Sequence, residues 1–173
     1  MPEGEIYKEK VPFTVGKLIL ALMIGLALMF LALFLYQLIV SPVGERPVPD
    51  WYYLVMFFVF SIIGALVANF SELNVRATAR FISVAYGRIK YTIAWENIEG
   101  SYLDDRPGIA YGGWGIRIAR ARGKSVLVFN VIGSPRVVLE LNKGRFAQFA
   151  FSTRHPEEIM VMVQEKNREV MSP

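Results

Sequence analysis

Two long stretches without charged residues dominate the hydropathy pattern of the first 71 residues. They run from Leu18 to Val40 and from Trp51 to Ser71, about 23 and about 21 residues. A helix rises about 1.5 Å per residue, so each stretch is long enough to cross the ~30 Å hydrocarbon layer of a bilayer. The segment between them is rich in proline and polar residues, which end one helix and let the chain reverse. The pattern therefore predicts a hairpin of two transmembrane helices, at about residues 14–40 and 51–71.

The charges that flank these stretches predict the orientation of the hairpin. Lys8, Lys10 and Lys17 precede the first helix, whereas Arg46 is the only basic residue of the connecting loop. Basic residues are enriched on the cytoplasmic side of membrane proteins. A signal peptide is the alternative for the first stretch, but its apolar run is too long and no small-residue cleavage pattern follows it. We therefore expect a multi-pass protein of the cell membrane with both termini in the cytoplasm.

Small residues recur on both predicted helices. They are Ala21 and Gly25 in the first helix, and Ser61, Gly64 and Ala68 in the second. Such spacings let helix backbones approach closely in lipid. They serve packing within the hairpin, or contact with a partner's helix or with a second copy of the chain, and the sequence leaves these uses open.

After Glu72 the pattern changes to the alternation of a half-buried strand. It is clearest where Ile89, Tyr91, Ile93 and Trp95 alternate with more polar residues. An earlier alternation slips in phase at Phe81-Ile82, where we expect a bulge or a bend. Four further strands are predicted at residues 116–119, 126–131, 137–141 and 147–151, separated by turns that contain glycine. Successive hairpins of this kind predict an antiparallel sheet.

A helix is predicted at the C-terminal end of this region. Pro156 suits the first helical position, Glu157 and Glu158 favour the positive end of the helix dipole, and an apolar stripe follows. The fold class is therefore an α+β membrane protein. Residues 1–71 form an N-terminal tail and the helix hairpin, and residues 72–173 form a cytoplasmic antiparallel β-sandwich or partly open barrel, capped by the C-terminal helix.

Composition agrees with this division and excludes some chemistry. Hydrophobic residues make up 54% of the chain, above the 45 to 50% or so of ordinary soluble domains. The chain has no cysteine, which excludes disulfides, thiolate metal sites and cysteine nucleophiles.

Three motifs in the β-rich region resemble prokaryotic pleckstrin-homology-like membrane proteins. They are Gly112-Gly113-Trp114-Gly115-Ile116-Arg117, Val137-Val138-Leu139-Glu140-Leu141 and Phe151-Ser152-Thr153-Arg154-His155-Pro156-Glu157-Glu158. The resemblance covers about residues 73–164. It implies a two-helix anchor followed by a seven-stranded, helix-capped domain with a non-catalytic role, and it carries no catalytic residues.

Basic residues are the candidate site residues. One group, Arg117, Arg120, Arg122 and Lys124, lies on a single predicted hairpin, and a second group, Arg76, Arg80, Arg88 and Lys90, follows the membrane segments. Each basic residue near an anionic bilayer contributes about 1 kcal/mol of attraction, so anionic lipid headgroups are the natural counter-charge. Ordinary solvated strand faces are the alternative. Residues 72–173 carry 15 basic and 10 acidic residues, too small an excess for us to expect nucleic-acid binding.

Other motifs do not predict chemistry. The four glycines between Gly108 and Gly115 are typical of a hairpin connection, and no helix follows them as a dinucleotide site requires. Gly123-Lys124-Ser125 lacks the first glycine of a phosphate loop, because Ile118 stands in its place. The adjacent pairs Asp104-Asp105 and Glu157-Glu158 diverge on a strand or a helix. The sole histidine, His155, suits a helix start. We expect no cofactor and no metal.

The sequence therefore favours a non-catalytic, membrane-anchored binding or scaffold protein that contacts a protein partner or anionic lipid headgroups. The alternative is an accessory subunit of a larger membrane enzyme or transporter, and a homo-oligomer also stays open. An enzyme acting alone would need activity that depends on Asp104, Asp105 or His155, and we expect none.

Overall fold

A computed structural model describes residues 4–40, 48–107, 111–121 and 123–171. The chain divides into two compact units. A helical unit spans Thr14–Ser71, and a β unit combines Met1–Phe13 with Glu72–Pro173.

The helical unit contains two long apolar helices, α1 (Thr14–Ile39) and α2 (Asp50–Asn69). Both are long and apolar enough to cross a membrane, and most of their side chains are not buried within the protein. They pack through aromatic and small residues: the rings of Phe30 and Phe60 stack with centroids 5.5 Å apart, and Gly64 lies against Met23. The predicted helix pair is confirmed, with its boundaries shifted by one or two residues.

The first sheet of the β unit has four antiparallel strands in the order β1-β2-β3-β4. Their alternating residues form an apolar inner face, since Leu73, Val75, Ile82 and Val84 have no exposed surface. Gly87, with φ of 50°, provides the two-residue turn between β3 and β4. The strands are β1 (Glu5–Pro12), β2 (Glu72–Thr78), β3 (Phe81–Tyr86) and β4 (Ile89–Ala94).

The second sheet has five strands in the order β5-β8-β9-β7-β6. All neighbours are antiparallel except β7 and β9, which are parallel. The short 3₁₀ helix Trp95–Asn97 connects the two sheets. The strands are β5 (Ile98–Leu103), β6 (Gly115–Ala121), β7 (Lys124–Asn130), β8 (Arg136–Leu141) and β9 (Gln148–Ser152).

The two sheets pack face to face through aromatic side chains. Tyr86 and Tyr91 of the first sheet lie against Phe129 and Phe149 of the second, with ring centroids 6.0 and 4.9 Å apart. Helix α3 (Pro156–Met171) contacts β5 and β8 and buries Ile159 and Val163. The core is therefore that of a two-layer sandwich covered at one side by the C-terminal helix.

The structure corrects or completes several details of the sequence prediction. The barrel alternative fails because the strands form two separate sheets that do not close on each other. The segment expected as an N-terminal tail contains β1, which pairs with β2. The phase slip at Phe81-Ile82 follows a bend at residues 79–80 that joins β2 to β3, which is one of the two alternatives expected there. Strand β5 was not expected, and neither was the parallel pairing of β7 with β9.

Candidate anion-binding surface

The outer face of the first sheet, on the side opposite the core, is polar and basic. Strand alternation places the apolar residues of β2 inward and Asn74 and Arg76 outward. In the register of the sheet, Lys8 of β1 lies beside Arg76, and Lys10 lies beside Asn74. The same row continues through Ala85 to Lys90 of β4. Side chains that are far apart in sequence therefore meet on one surface, which we call the basic face.

Two carboxylates partly neutralise the basic face. Glu5 binds both Arg76, at 2.9 Å from Nη2, and Lys8, at 3.6 Å from Nζ. Glu72 lies 3.4 Å from the Nζ of Lys10. The turns at the two ends of β3 add Arg80 and Arg88. Among the described residues, six basic residues lie on this face or in its turns, against two acidic ones: Lys8, Lys10, Arg76, Arg80, Arg88 and Lys90 against Glu5 and Glu72. Its net charge is positive.

The basic residues fall into two groups along the strands. Pro12 pairs with Glu72 at the end of the sheet where the chain continues into α1 and returns from α2. Lys10 and Lys90 lie near this end, and the turn that contains Arg88 is also there. Arg80 lies beyond the opposite end of β2.

Arg76 and Arg80 line a cavity at that opposite end. Its volume is about 390 Å³, and its other lining residues are Gly4, Thr78, Ala79 and Phe81. Lys90 is close to this region, since its Nζ lies 5.6 Å from the centroid of the Phe81 ring. The structure therefore brings together three of the candidate residues from the sequence: Arg76, Arg80 and Lys90.

The basic residues of the β6–β7 hairpin do not converge in this way. Arg117 and Arg120 are three positions apart on β6, so their side chains leave opposite faces of the strand. Arg117 Nε donates to the carbonyl of Gly112 at 3.5 Å, and Lys124 pairs with Glu140 at 3.6 Å. Arg122 lies outside the described residues.

Asp104 belongs to a buried polar network. Its Oδ2 accepts from Arg136 Nε at 3.0 Å, and both side chains are almost fully buried. Its Oδ1 accepts from Arg106 Nε at 3.1 Å, and Arg136 also donates to Asn130 Oδ1 at 3.1 Å and to the carbonyl of Arg106. The Tyr111 ring lies about 5 Å from both guanidinium groups. The network holds the segment after β5 against the second sheet.

Titration behaviour agrees with this arrangement. Burial raises the pKa of Asp104, but the hydrogen bonds and positive charge of Arg136 outweigh it, so the pKa lies below its usual value. Burial and the Asp104 carboxylate raise the pKa of Tyr111 to about 12. Both groups therefore keep their ordinary protonation states at neutral pH.

A second buried carboxylate, Glu9, joins β1 to the segment before α3. Its Oε2 accepts from the hydroxyls of Tyr7 at 2.8 Å and Thr153 at 2.6 Å, and its Oε1 accepts from the amide of Arg154 at 2.6 Å. Burial, and then the hydrogen bond to Glu9, raises the pKa of Tyr7. His155 is half exposed, with its Nδ1 3.5 Å from Glu158. Within the described residues, no group of three or more histidine, aspartate or glutamate side chains is arranged to hold a metal.

Sequence reasoning missed the contribution of β1 to the basic face. Lys8 and Lys10 entered the prediction only as signals of membrane orientation. Their alternation with Tyr7, Glu9 and Val11 is the signal that identifies a strand. This strand was not recognised because Glu9 occupies an inward position, which normally carries an apolar residue.

These observations define an α+β chain with two long apolar helices and a β unit that carries a basic sheet face. Comparisons with family models, with curated proteins and with solved structures gave no match for this chain. The functional conclusion therefore rests on the geometry and charge of the described residues.

Proposed function

We propose that this chain is a non-catalytic, membrane-anchored binding protein whose basic face contacts anionic groups at the cytoplasmic surface of the membrane. The observation that carries the proposal is the gathering of six basic side chains and two acidic ones on one face of the first sheet. The opposite face of the same sheet forms the core, and Glu5 and Glu72 offset only part of the positive charge of the described residues.

The pairing of β1 with β2 supports a membrane hairpin. One residue separates β1 from α1, and two residues separate α2 from β2. Because these strands are antiparallel neighbours, the chain leaves and returns on the same side if the two helices span a bilayer. Lys8, Lys10 and Lys17 before α1, and the arginines after α2, favour the cytoplasmic side.

Lipid headgroups are the proposed counter-charge for the basic residues near the connections to the helices. Only Phe13 separates β1 from α1, and only Phe70 and Ser71 separate α2 from β2. An extended chain covers at most about 3.5 Å per residue, so such connections keep that end of the sheet close to the membrane surface. Each basic residue there, such as Lys10 and Arg88, would then add up to about 1 kcal/mol of attraction to an anionic leaflet, and Glu72, which pairs with Lys10, offsets part of it.

The resemblance to pleckstrin-homology-like membrane proteins supports a binding role. The β sandwich with a C-terminal helix agrees with this resemblance in outline. Its two sheets have four and five strands, however, whereas the resemblance implies seven strands in total. The contacts of Asp104 and Glu9 also support a non-catalytic role, because both carboxylates are engaged in holding segments of the β unit together.

The test is lipid retention by the full-length protein. After gentle detergent extraction, native mass spectrometry should show anionic lipids enriched over zwitterionic ones. The variant Lys10→Gln with Arg88→Gln should retain fewer anionic lipids, whereas the matched control Lys143→Gln with Arg145→Gln, two exposed residues of the β8–β9 connection, should behave as wild type. Equal retention by all three proteins would refute the proposal.

An accessory subunit of a larger membrane complex is the second candidate. The observation that favours it is the position of Gly25: a Cβ placed there meets no atom within 4 Å, whereas one at Gly64 meets Met23 at 3.5 Å. Gly25 therefore does not serve packing within the helix pair. Co-purification of a stoichiometric protein partner in the same extraction would favour this function.

A further inference from the structure

We infer that the cavity between the β2–β3 turn and the start of β1 is a binding site for a phosphate monoester, an inference that builds on the proposed function of the basic face. The cavity has the size, the preformed walls and the surplus positive charge that such a ligand requires.

The walls of the cavity are fixed by hydrogen bonds around the turn. Thr78 Oγ1 accepts from the amide of Phe81 at 3.2 Å and donates to its carbonyl at 3.1 Å. The amide of Ala79 donates to the carbonyl of Gly4 at 3.3 Å. The indole nitrogen of the buried Trp95 donates to the carbonyl of Thr78 at 2.8 Å. The turn is therefore held on both sides, so little ordering is left for a ligand to impose.

Positive charge at the cavity exceeds its local counter-charge. Lys8 and Arg76 share the single carboxylate of Glu5. Arg80 is exposed and forms no ion pair within 4.0 Å in the part of the chain that the structure describes. Among the described residues, the two cations that line the cavity, Arg76 and Arg80, therefore outnumber the one carboxylate that pairs with them, which suits an anionic ligand.

The donors present also favour a phosphate. A guanidinium group offers several N–H donors in a planar arrangement that matches phosphate oxygens. Among the described residues, the Nε of Arg76 is buried and makes no hydrogen bond. A buried donor without a partner costs free energy, which a small movement of Arg76 towards a bound anion would relieve.

The cavity is suited to binding and not to hydrolysis. Its only hydroxyl, that of Thr78, already donates to the carbonyl of Phe81. The nearby carboxylate of Glu5 is held by two cations. Its volume of about 390 Å³ is at the lower end of the ~300–1,000 Å³ typical of ligand sites, enough for a phosphate and a small attached group.

The first arm of the test is calorimetric titration of inorganic phosphate into the full-length protein in phosphatidylcholine nanodiscs, at constant ionic strength. We expect binding, and we expect Arg80→Gln to weaken it at least about tenfold through the loss of a charge-assisted contact. Arg80 is exposed in a turn, so this variant should keep its fold. The control Lys143→Gln should bind as wild type does.

The second arm distinguishes a lipid from a soluble phosphate. Nanodiscs that contain phosphatidic acid present a phosphate monoester in the bilayer. If the lipid occupies the cavity, these discs should weaken the binding of free phosphate, and Arg80→Gln should reduce the retention of phosphatidic acid. If the occupant is soluble, free phosphate should bind equally in both discs.

The inference is overturned if the wild type binds neither probe, or if Arg80→Gln binds both as well as the wild type. Retention of anionic lipids that depends on Lys10 and Arg88 but not on Arg80 would remove the phosphate site and keep the proposed function. If lipid retention depends neither on Arg80 nor on the basic residues near the connections to the helices, both the phosphate site and the proposed function are refuted.

Discussion

The carboxylate of Glu9 accepts a hydrogen bond of 2.6 Å from the hydroxyl of Thr153, although the two residues are 144 positions apart in the chain. Glu9 is in the strand that leads into α1, and Thr153 is in the segment that leads into α3. The contact therefore fixes the N-terminal strand to the start of the C-terminal helix.

Removal of the Glu9 carboxylate should destabilise the β unit. Glu9→Ala leaves two hydroxyl groups and one amide without their acceptor, and each buried donor that loses its partner costs about 1–3 kcal/mol. Only the Thr153 hydroxyl is fully buried, whereas the Tyr7 hydroxyl and the Arg154 amide are partly buried, so that water can replace the lost acceptor. We therefore expect a total loss on the order of 2–4 kcal/mol, and less for Glu9→Gln, which keeps an acceptor oxygen. Thermal unfolding of the full-length protein in detergent measures the effect. Glu165→Ala, at an exposed position of α3, is the control. An equal unfolding midpoint for Glu9→Ala and this control would show that the Glu9 hydrogen bonds do not stabilise the β unit.

Removal of one partner of the ion pair between Asp104 and Arg136 should strongly destabilise the protein. Asp104→Asn leaves Arg136, only 3% exposed, without its counter-charge, at a cost of about 3–5 kcal/mol. Replacing both residues, as Asp104→Leu with Arg136→Met, should recover part of this loss, because a well-packed apolar pair needs no counter-charge. The exposed neighbour Asp105 supplies the control Asp105→Asn. Unfolding midpoints of the four proteins measure the effect, and a double variant less stable than Asp104→Asn contradicts it.

The same pair predicts how stability depends on pH. The pKa of Asp104 is lower in the folded protein than in the unfolded chain, so the folded state favours the ionised form. Its contribution is complete above the unfolded pKa of about 3.9 and is lost as the pH falls from there through the folded pKa. Unfolding midpoints of the wild type should therefore fall more steeply below about pH 4 than those of Asp104→Asn. Parallel pH profiles would contradict this.

The elements predicted correctly are those that local sequence determines. The two apolar helices follow from uninterrupted runs of hydrophobic residues, and α3 begins at Pro156, where proline and two glutamates mark a helix start. Strand β4 follows from the alternation over 89–94. In each element the signal lies within the residues that form it.

The elements that were missed depend on distant partners. Strand β1 pairs with β2, some 60 residues later, and its inward Glu9 is satisfied only by Thr153 and Arg154. The parallel pairing of β7 with β9 has β8 between them in the chain. No turn motif encodes such a pairing, because turns specify only consecutive strands.

The candidate site was also predicted only in part, because its residues come together through pairing of distant strands. Sequence identified Arg76, Arg80 and Lys90 as basic residues, but their meeting on one face with Lys8 and Lys10 depends on the register of four strands. The basic residues of the β6–β7 hairpin were predicted to form one group because they are close together in sequence. Strand alternation sends Arg117 and Arg120 to opposite faces.

The two glycines of the helical unit should respond differently to substitution. Gly64→Leu places a large side chain against Met23, whose Cβ lies 3.5 Å from a Cβ at Gly64, and should lower the unfolding midpoint of the helix pair by a few degrees. Gly25→Leu meets no atom within 4 Å and should leave the midpoint of the purified protein unchanged. If Gly25→Leu also dissociates a complex seen on native gels, that face of α1 holds a partner. A lower midpoint for Gly25→Leu in the isolated monomer would contradict the helix packing.

The pairing of β1 with β2 predicts the membrane topology. Since the chain has no cysteine, single cysteines report accessibility without a background. Ile6→Cys on β1 and Lys143→Cys in the β8–β9 connection should be labelled by a membrane-impermeant maleimide only in inside-out vesicles, because both belong to the β unit. Val48→Cys, between the two helices, should be labelled only in intact cells. Labelling of Ile6→Cys and Lys143→Cys from opposite sides would exclude the hairpin, and labelling of all three from the same side would show that the helices do not span the membrane.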